Sequence, residues 1–335
     1  MVDQYNGYYK GKNVLITGGL GFIGSNLAIR LVDLGSSVMI VDNKLETSGG
    51  NEFNIEPIKH DVHVNYLNIC DKTSLRQLVR NKHIVFHLAA QMSHTLGLKD
   101  QKPDIENNII GTVTLLECCK EENNGVKLVY TGSRGQYGEA LRLPVDEDHP
   151  RNPIGSHEIS KNDAEDYARF YHRRLGLDVV LTRLSNVYGP RSQIKSPEFG
   201  VANWFVGLAL RYEPIPLMGD SCEGYGIKKR DFLYVDDCVD ALLLLASKKE
   251  AIGHVYNIGN DEPSNFRAVA EIISDYTRAS IKHVTWSKER KLLEPGDFYP
   301  DISKIRNLGW SPRVPLEEGI RNTVEFLKLN KDHYW

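Results

Sequence analysis

Apolar and polar positions alternate with two periods along the first half of the chain. NVLIT (Asn13–Thr17) is a short β-prone run, a glycine-rich stretch follows, SNLAIRLVDLG has apolar residues at helical spacing, and VMIVDN reads as a second strand. The same rhythm continues through the helix DKTSLRQLVR, the strand HIVFHLA, the helix IENNIIGTVTLLECCKEE, the strand KLVYTGS, the helix EISKNDAEDYARFYHRRLG and the strand DVVLTRLS. Strands separated by helices predict an α/β fold with a doubly wound parallel sheet of Rossmann type, because right-handed crossovers lay each helix on a sheet face. After about Gly189 the texture changes to loops punctuated by Pro and Gly. Helices are predicted at VANWFVGLALR, DDCVDALLLLAS, FRAVAEIISDYTR and LEEGIRNTVEFLKL, with a strand at FLYV. This divides the chain into an N-terminal part, 1–189, that carries the doubly wound sheet, and a smaller C-terminal lobe, 190–335, interleaved with the first.

Composition narrows the function. The 335 residues suffice for a sizeable core, and a formal net charge of −3 with 25% charged residues lacks the basic excess that nucleic acid or an anionic membrane selects. No run approaches the ~20 apolar residues of a membrane span, and MVDQYNGYYKGKN lacks the apolar stretch of a signal peptide, so a cytoplasmic protein is expected. Five cysteines without framework spacing point to reduced thiols, and the absence of CxxC and HExxH predicts no metal. A lone histidine in an apolar run, such as His87, reads as a satisfied core residue.

The segment TGGLGFIG, with Gly18, Gly21 and Gly24, falls between the first strand and the first helix. There a dinucleotide pyrophosphate rests on helix N–H groups and glycine lets the backbone approach closely. An ordinary βα turn is the plainer alternative. Asp42 ends the second strand about twenty residues on, where a carboxylate accepts from adenosine ribose hydroxyls and repels a 2′-phosphate, so NAD is expected rather than NADP. A turn residue after a strand is the other reading of Asp42.

The glycine spacing in TGGLGFIG resembles that of the extended short-chain dehydrogenase/reductases, the group of nucleotide-sugar epimerases, dehydratases and decarboxylases. Further ordered matches are LNICD, HLAAQ, NNIIGTVTLLE, TRLSNVYGPR, KRDFLYVDDCVDAL and LGWSP, spread over nearly the whole chain. The resemblance implies that NAD contacts the glycines with Phe22 and Ile23, then Asp42, Asn43, Asn68, Ile69, Leu88, Ala89, Ala90, Gln91, Asn108, Lys161 and Leu184. Asn68 stands where an aspartate is usual. A nucleotide-diphosphate sugar would be held by Ser93, Arg134, Asn186, Arg191, Arg230 and Asp297. Arg230 suits a diphosphate because its planar fork makes charge-assisted bonds, and a salt bridge to Asp231 is its alternative role.

Members of this family use a Ser or Thr with a Tyr-x-x-x-Lys pair on one helix face. Here Ser133 and Lys161 match, and His157 occupies the tyrosine position. Positions 157 and 161 are one helical turn apart and share a face. An imidazole of ordinary pKa ~6.5, lowered by a neighbouring ammonium, is neutral at pH 7 and can accept a proton. Its ring is shorter than a phenol, so the sugar must approach more closely or something must bridge the gap. Three readings stay open: His157 is the base, another group such as Tyr137 or a water serves, or the chain is a catalytically silent NAD-binding protein.

The loop TGSRGQYG lacks the Thr-Asp-Glu that the family's 4,6-dehydratases carry, and Gly135 stands where decarboxylases place a glutamate. That leaves C4 chemistry: 4-epimerisation, with C4 oxidation, reduction or 4,6-dehydration as alternatives. Arg134 is expected near the C5–C6 end of an acidic sugar, or else paired with an acid in PVDEDHP. Glu294 replaces an arginine often used on the diphosphate, for which Arg290 or Lys291 are candidate substitutes. The helices at 106–121 and 158–174 match those of the family's dimer interface, so a homodimer is expected; their outer apolar residues can instead be satisfied within one monomer.

Overall fold

The computed structural model describes residues 5, 7–44, 49–219 and 226–335, apart from the side chains of residues 289 and 290. Seven parallel strands form the central sheet: β1 Asn13–Thr17, β2 Ser37–Asp42, β3 Val62–Tyr66, β4 Ile84–His87, β5 Lys127–Ser133, β6 Asp178–Leu184 and β7 Val255–Ile258. Their order is β7-β6-β5-β4-β1-β2-β3. The chain order therefore reverses between β1 and β4, and the crevice at the carboxyl ends of these two strands is where such sheets bind ligands. Residues alternate between the faces: Val14, Ile16, Ile84 and Phe86 enter one core, while Leu15, Val85, Leu128 and Tyr130 enter the other.

The principal helices among the described residues are α1 Phe22–Asp33, α2 Lys72–Val79, α3 Gly111–Glu122, α4 Ser156–Leu175, α5 Val201–Leu210, α6 Val235–Ser247, α7 Phe266–Thr277 and α8 Leu316–Leu329. Helices α1 and α6 contribute to the first core, and α2, α3 and α4 to the second. A third core joins α5, α7 and α8 through Phe205, Val206, Val269, Ile273, Ile320 and Val324. The chain crosses between the two parts more than once, because α6 packs on α1 and β7 pairs with β6 in the register Val255↔Leu181 to Ile258↔Leu184.

Strands β3 and β7 are absent from the pattern of apolar runs. VHVNY is half polar because β3 is an edge strand, and VYNI contains Asn257, whose buried amide donates to Val145 O at 2.9 Å. The predicted helix 105–122 instead begins as a π-helical turn, Ile105–Ile110, before α3. His87 is a core residue as expected: its ring nitrogens meet Thr17 Oγ1 at 2.7 Å and Thr112 Oγ1 at 2.8 Å.

Helix α4 places a charge beneath the site. Glu165 is fully buried and accepts from Arg183 Nη2 at 2.7 Å, Arg169 Nη2 at 2.7 Å and Gln136 Nε2 at 2.6 Å. Gln136 in turn accepts from the Ser133 backbone N–H at 2.8 Å, so the ion pair positions the loop after β5. Glu165→Ala leaves Arg183 buried and uncompensated, and urea unfolding should report a loss of about 3–5 kcal/mol.

Candidate active site

The loop between β1 and α1 forms a cradle that admits no side chain. Gly18 has φ +73°, and a Cβ there would lie 2.7 Å from Ala89 N; a Cβ on Gly24 would lie 2.2 Å from Gly18 O. Helix α1 begins after Gly21 without a side-chain cap, which leaves its first N–H groups for an anion. At the end of β2, Asp42 accepts from Leu20 N at 3.0 Å and Lys44 N at 2.8 Å. Burial raises its pKa, opposed by these two hydrogen bonds. Backbone that a phosphate can approach, an uncapped helix start and a carboxylate at the second strand together fit NAD.

A cleft of about 690 Å³ runs from this cradle into the C-terminal lobe. Its wall includes Gly18, Gly21, Phe22, Ile23, Gly24, Asp42 and Asn43, then Ile69, Leu88, Ala89, Ala90, Gln91, Lys161 and Leu184. Further along it meets Ser133, Arg134, His157, Asn186 and Arg230. Two of the residues expected at the cofactor lie outside this wall. Asn68 accepts from Cys70 N at 2.9 Å, and Asn108 is buried behind Gln91, accepting from Gln91 N at 2.8 Å and donating to Ser160 Oγ at 2.8 Å. Asn108 thus ties the Gln91 loop to α4.

Ser133 caps the short helical turn Arg134–Tyr137, its Oγ accepting from Gly135 N at 3.1 Å. His157 and Lys161 lie one turn apart on the inner face of α4. His157 is buried, its Nδ1 has no hydrogen-bond partner among the described residues, and burial together with the nearby His94 pushes its pKa down to about 3. Lys161 Nζ lies 4.9 Å from the Tyr130 ring centroid, and burial lowers its pKa to about 8. Tyr137 is away from the cleft: fully buried, it donates to Asn257 Oδ1 at 2.6 Å, and burial raises its pKa to about 12.

The residues expected at the sugar nucleotide divide. Asn186 lines the cleft and donates to Asp231 O at 2.7 Å. Arg230 lines it too, but pairs with Glu294, not Asp231, and also donates to Lys229 O at 2.8 Å and to Gly296 O at 2.5 Å. Asp231 instead accepts from Asn260 N at 2.8 Å, and burial raises its pKa to about 7. Arg134 lies 5.2 Å from the Phe298 ring centroid, and burial lowers its pKa to about 10. Two of the three acids proposed for it are engaged elsewhere, Asp146 with Arg142 at 2.8 Å and Glu147 with Asn257 N at 2.8 Å.

Three further expectations fall outside the cleft wall. Ser93 donates to Glu198 Oε2 at 3.2 Å, Arg191 bridges Asn26 Oδ1 at 3.0 Å and Asn54 O at 3.1 Å, and Asp297 accepts from Lys229 N at 3.0 Å. Lys291 is not in the wall, and the Arg290 side chain lies outside the described residues.

Sequence reasoning missed His94 and Glu158, which face each other across the cleft wall with His94 Nδ1 2.5 Å from Glu158 Oε1. A Cβ on Gly135 would stand 2.5 Å from Glu158 Cγ, so Glu158 takes the room that a side chain at 135 would need. Only the adjacency of Glu158 to His157 hinted at this; His94 lies 64 positions away.

A dinucleotide cradle opening onto a lobe with polar, cationic walls defines an NAD-dependent enzyme of the Rossmann class. The chain belongs to the NAD dependent epimerase/dehydratase family, which it matches over residues 14–259. It is 34% identical to the mouse dTDP-D-glucose 4,6-dehydratase over 97% of this chain and 90% of that one. It is 31% identical to the UDP-N-acetyl-alpha-D-glucosaminuronate decarboxylase of Bacillus cytotoxicus over 95% and 98%. The UDP-glucose 4-epimerase of Thermotoga maritima, solved with UDP-glucose, superposes with a TM-score of 0.85 at 32% identity, covering 95% of this chain and 99% of that one. Among the described residues no helix is long and apolar enough to cross a membrane.

Two predictions follow from this geometry. Gly24→Ala should weaken NAD binding at least tenfold by calorimetry while the far-ultraviolet circular dichroism is kept, since the added methyl meets Gly18 O. The second concerns acid stability. His157 has a pKa of about 3 in the folded chain, against ~6.5 unfolded. Its contribution is complete above ~6.5 and is eroded as pH falls toward 3, because only the unfolded chain takes the proton. His157→Phe should therefore recover about 2 kcal/mol near pH 5 relative to the parent's own loss, read from urea unfolding at neutral and acid pH.

Proposed function

We propose that this chain is a nucleotide-diphosphate-sugar 4-epimerase. The observation carrying this reading is the meeting of Ser133, His157 and Lys161 at the junction between the NAD cradle and the sugar lobe, with no acidic side chain at positions 134 and 135. NAD supplies a reversible store for a hydride. The Ser133 hydroxyl holds the reacting sugar oxygen, Lys161 holds the nicotinamide ribose, and an imidazole at the His157 face takes the hydroxyl proton as C4 is oxidised. Rotation of the ketosugar in the cleft presents its other face before the hydride and proton return. Glu158 is held ionised, with a pKa of about 2, because the hydrogen bond and charge of His94 outweigh the effect of burial. A carboxylate so committed does not supply the acid that elimination at C5 and C6 needs, which keeps the reading at C4.

The diphosphate falls to the positive region of Arg230 and Arg134. Because Glu294 already occupies Arg230, binding must draw on Arg134 or displace Glu294. Glu294→Gln should lower KM for the nucleotide sugar several-fold with little change in kcat.

The assembly is a homodimer in this reading. Ile105 and Ile110 before α3, and Ile159, Tyr167 and Phe170 on α4, are 46–49% exposed and share the α3–α4 side of the molecule. Phe170→Glu should yield a monomer by sedimentation.

Purified protein incubated with NAD and a panel of UDP-, GDP-, CDP- and dTDP-sugars should convert one of them to its C4 epimer by NMR. No conversion, no reduced nicotinamide and no sugar binding anywhere in the panel would replace this reading with that of a silent NAD-binding protein.

A further inference from the structure

His157 falls short of what a base at this place must do. It is buried, its ring is shorter than a phenol, and burial holds its pKa near 3, far from the value at which a neutral-pH base works well. Against its ring, at 5.0 Å between centroids and 77° between planes, stands the ring of His94. His94 belongs to the loop after β4, lines the cleft, and has a partly open side chain.

Glu158 fixes how His94 is presented. With Nδ1 2.5 Å from Glu158 Oε1, the neutral tautomer donates from Nδ1 and leaves the Nε2 lone pair without a protein partner among the described residues. Glu158 is 7% exposed, and its second oxygen, Oε2, has no hydrogen-bond partner among the described residues, an expensive arrangement for a group with no task. A carboxylate behind an imidazole sets its tautomer and orientation and stabilises the imidazolium that forms when the ring takes a proton.

We propose that His94, positioned by Glu158, is the proton-transfer residue of this cleft, with His157 as the wall that aims it. This rests on the C4-epimerase reading above. As C4 gives its hydride to NAD, the O4–H bond breaks, an N–H bond forms at His94 Nε2 and the C4–O4 double bond closes. On return, the ketone oxygen recovers that proton as the hydride rejoins C4, so no external acid, base or oxidant is consumed.

The charged groups around His94 are Glu158, Arg134 and Glu198, with His157 beside them. Burial lowers its pKa and Arg134 lowers it further, but the Glu158 hydrogen bond and charge, helped by Glu198, leave it above the ordinary value. The base must be unprotonated, so kcat/KM should fall as pH drops through a value above ~6.5.

The test compares His94→Phe, Glu158→Gln and His157→Phe by pH–rate profiles on the substrate found in the panel, and by NMR titration of 13Cε1-labelled histidines in the NAD-bound protein. His94→Phe should lose about 100-fold or more in kcat with NAD affinity intact. Glu158→Gln should move the acid limb to lower pH, and His157→Phe should keep the parent's limb. A His94→Phe enzyme with parental kcat and acid limb, or a loss confined to His157→Phe, overturns the assignment. The titration decides the matter if no sugar turns over: His94 must titrate above ~6.5 and drop in Glu158→Gln, and a His94 at or below the ordinary value overturns the proposal whatever the substrate. Absence of turnover with the expected titration instead counts against the epimerase reading alone.

Discussion

Charge buried on α4 is the constraint on which the site depends. Glu158, Lys161 and Glu165 project from one helix into the interior, where an uncompensated ion costs several kcal/mol. Each compensation reaches another part of the chain. Glu165 gathers Arg183 from β6 and Gln136 from the loop after β5, and through Gln136 it sets Ser133. Glu158 fixes His94 from the loop after β4. Lys161 has the face of Tyr130 on β5, whose hydroxyl donates back to Lys161 O at 2.8 Å. Ser160 on the same helix is bonded by Asn108 of the π-helical turn, which also holds Gln91 beside the cofactor cradle. Helix α4 thus places the hydroxyl, the ammonium and the histidines around one cleft.

The neighbouring π-turn belongs to the same arrangement. An extra residue in a helix shifts the side chains that follow it, and such turns recur at functional sites. Here the shift lies at Ile105–Ile110, next to the point where Gly111 packs so closely on Ile69 that a Cβ would lie 2.4 Å from Ile69 Cδ1. Ile69 and Gln91, which both line the cleft, are joined through Gly111 and Asn108 of this one stretch.

How much could be read in advance follows from the range of each interaction. The glycine cradle and Asp42 are legible because strand, turn and helix spacing determine them locally, Ser133 and Lys161 through the resemblance to the family's Ser and Tyr-x-x-x-Lys positions, and the alternation of apolar runs yields five of the sheet's seven strands, all but β3 and β7. Strand β7 was hidden because its pairing with β6 is long-range and Asn257 interrupts its apolar pattern. The pairing of Arg230 with Glu294 joins residues 64 positions apart, and the meeting of His94 with Glu158 spans the same separation. No periodicity reports such contacts. Asn108, Arg191 and Asp297 were recognisable as polar residues at matched positions, yet their hydrogen bonds turn them toward the scaffold and away from the cleft.

In the epimerase proposed above, C4 of the sugar gives up its own hydride and receives the same one back on the other face. A nucleotide sugar deuterated at C4, turned over once in unlabelled water and analysed by mass spectrometry and NMR, tests it most directly. The expected product is an epimer that keeps the deuterium at C4, with reduced nicotinamide appearing and vanishing in step. An epimer carrying solvent hydrogen at C4, formed with no transient reduced nicotinamide, would contradict it.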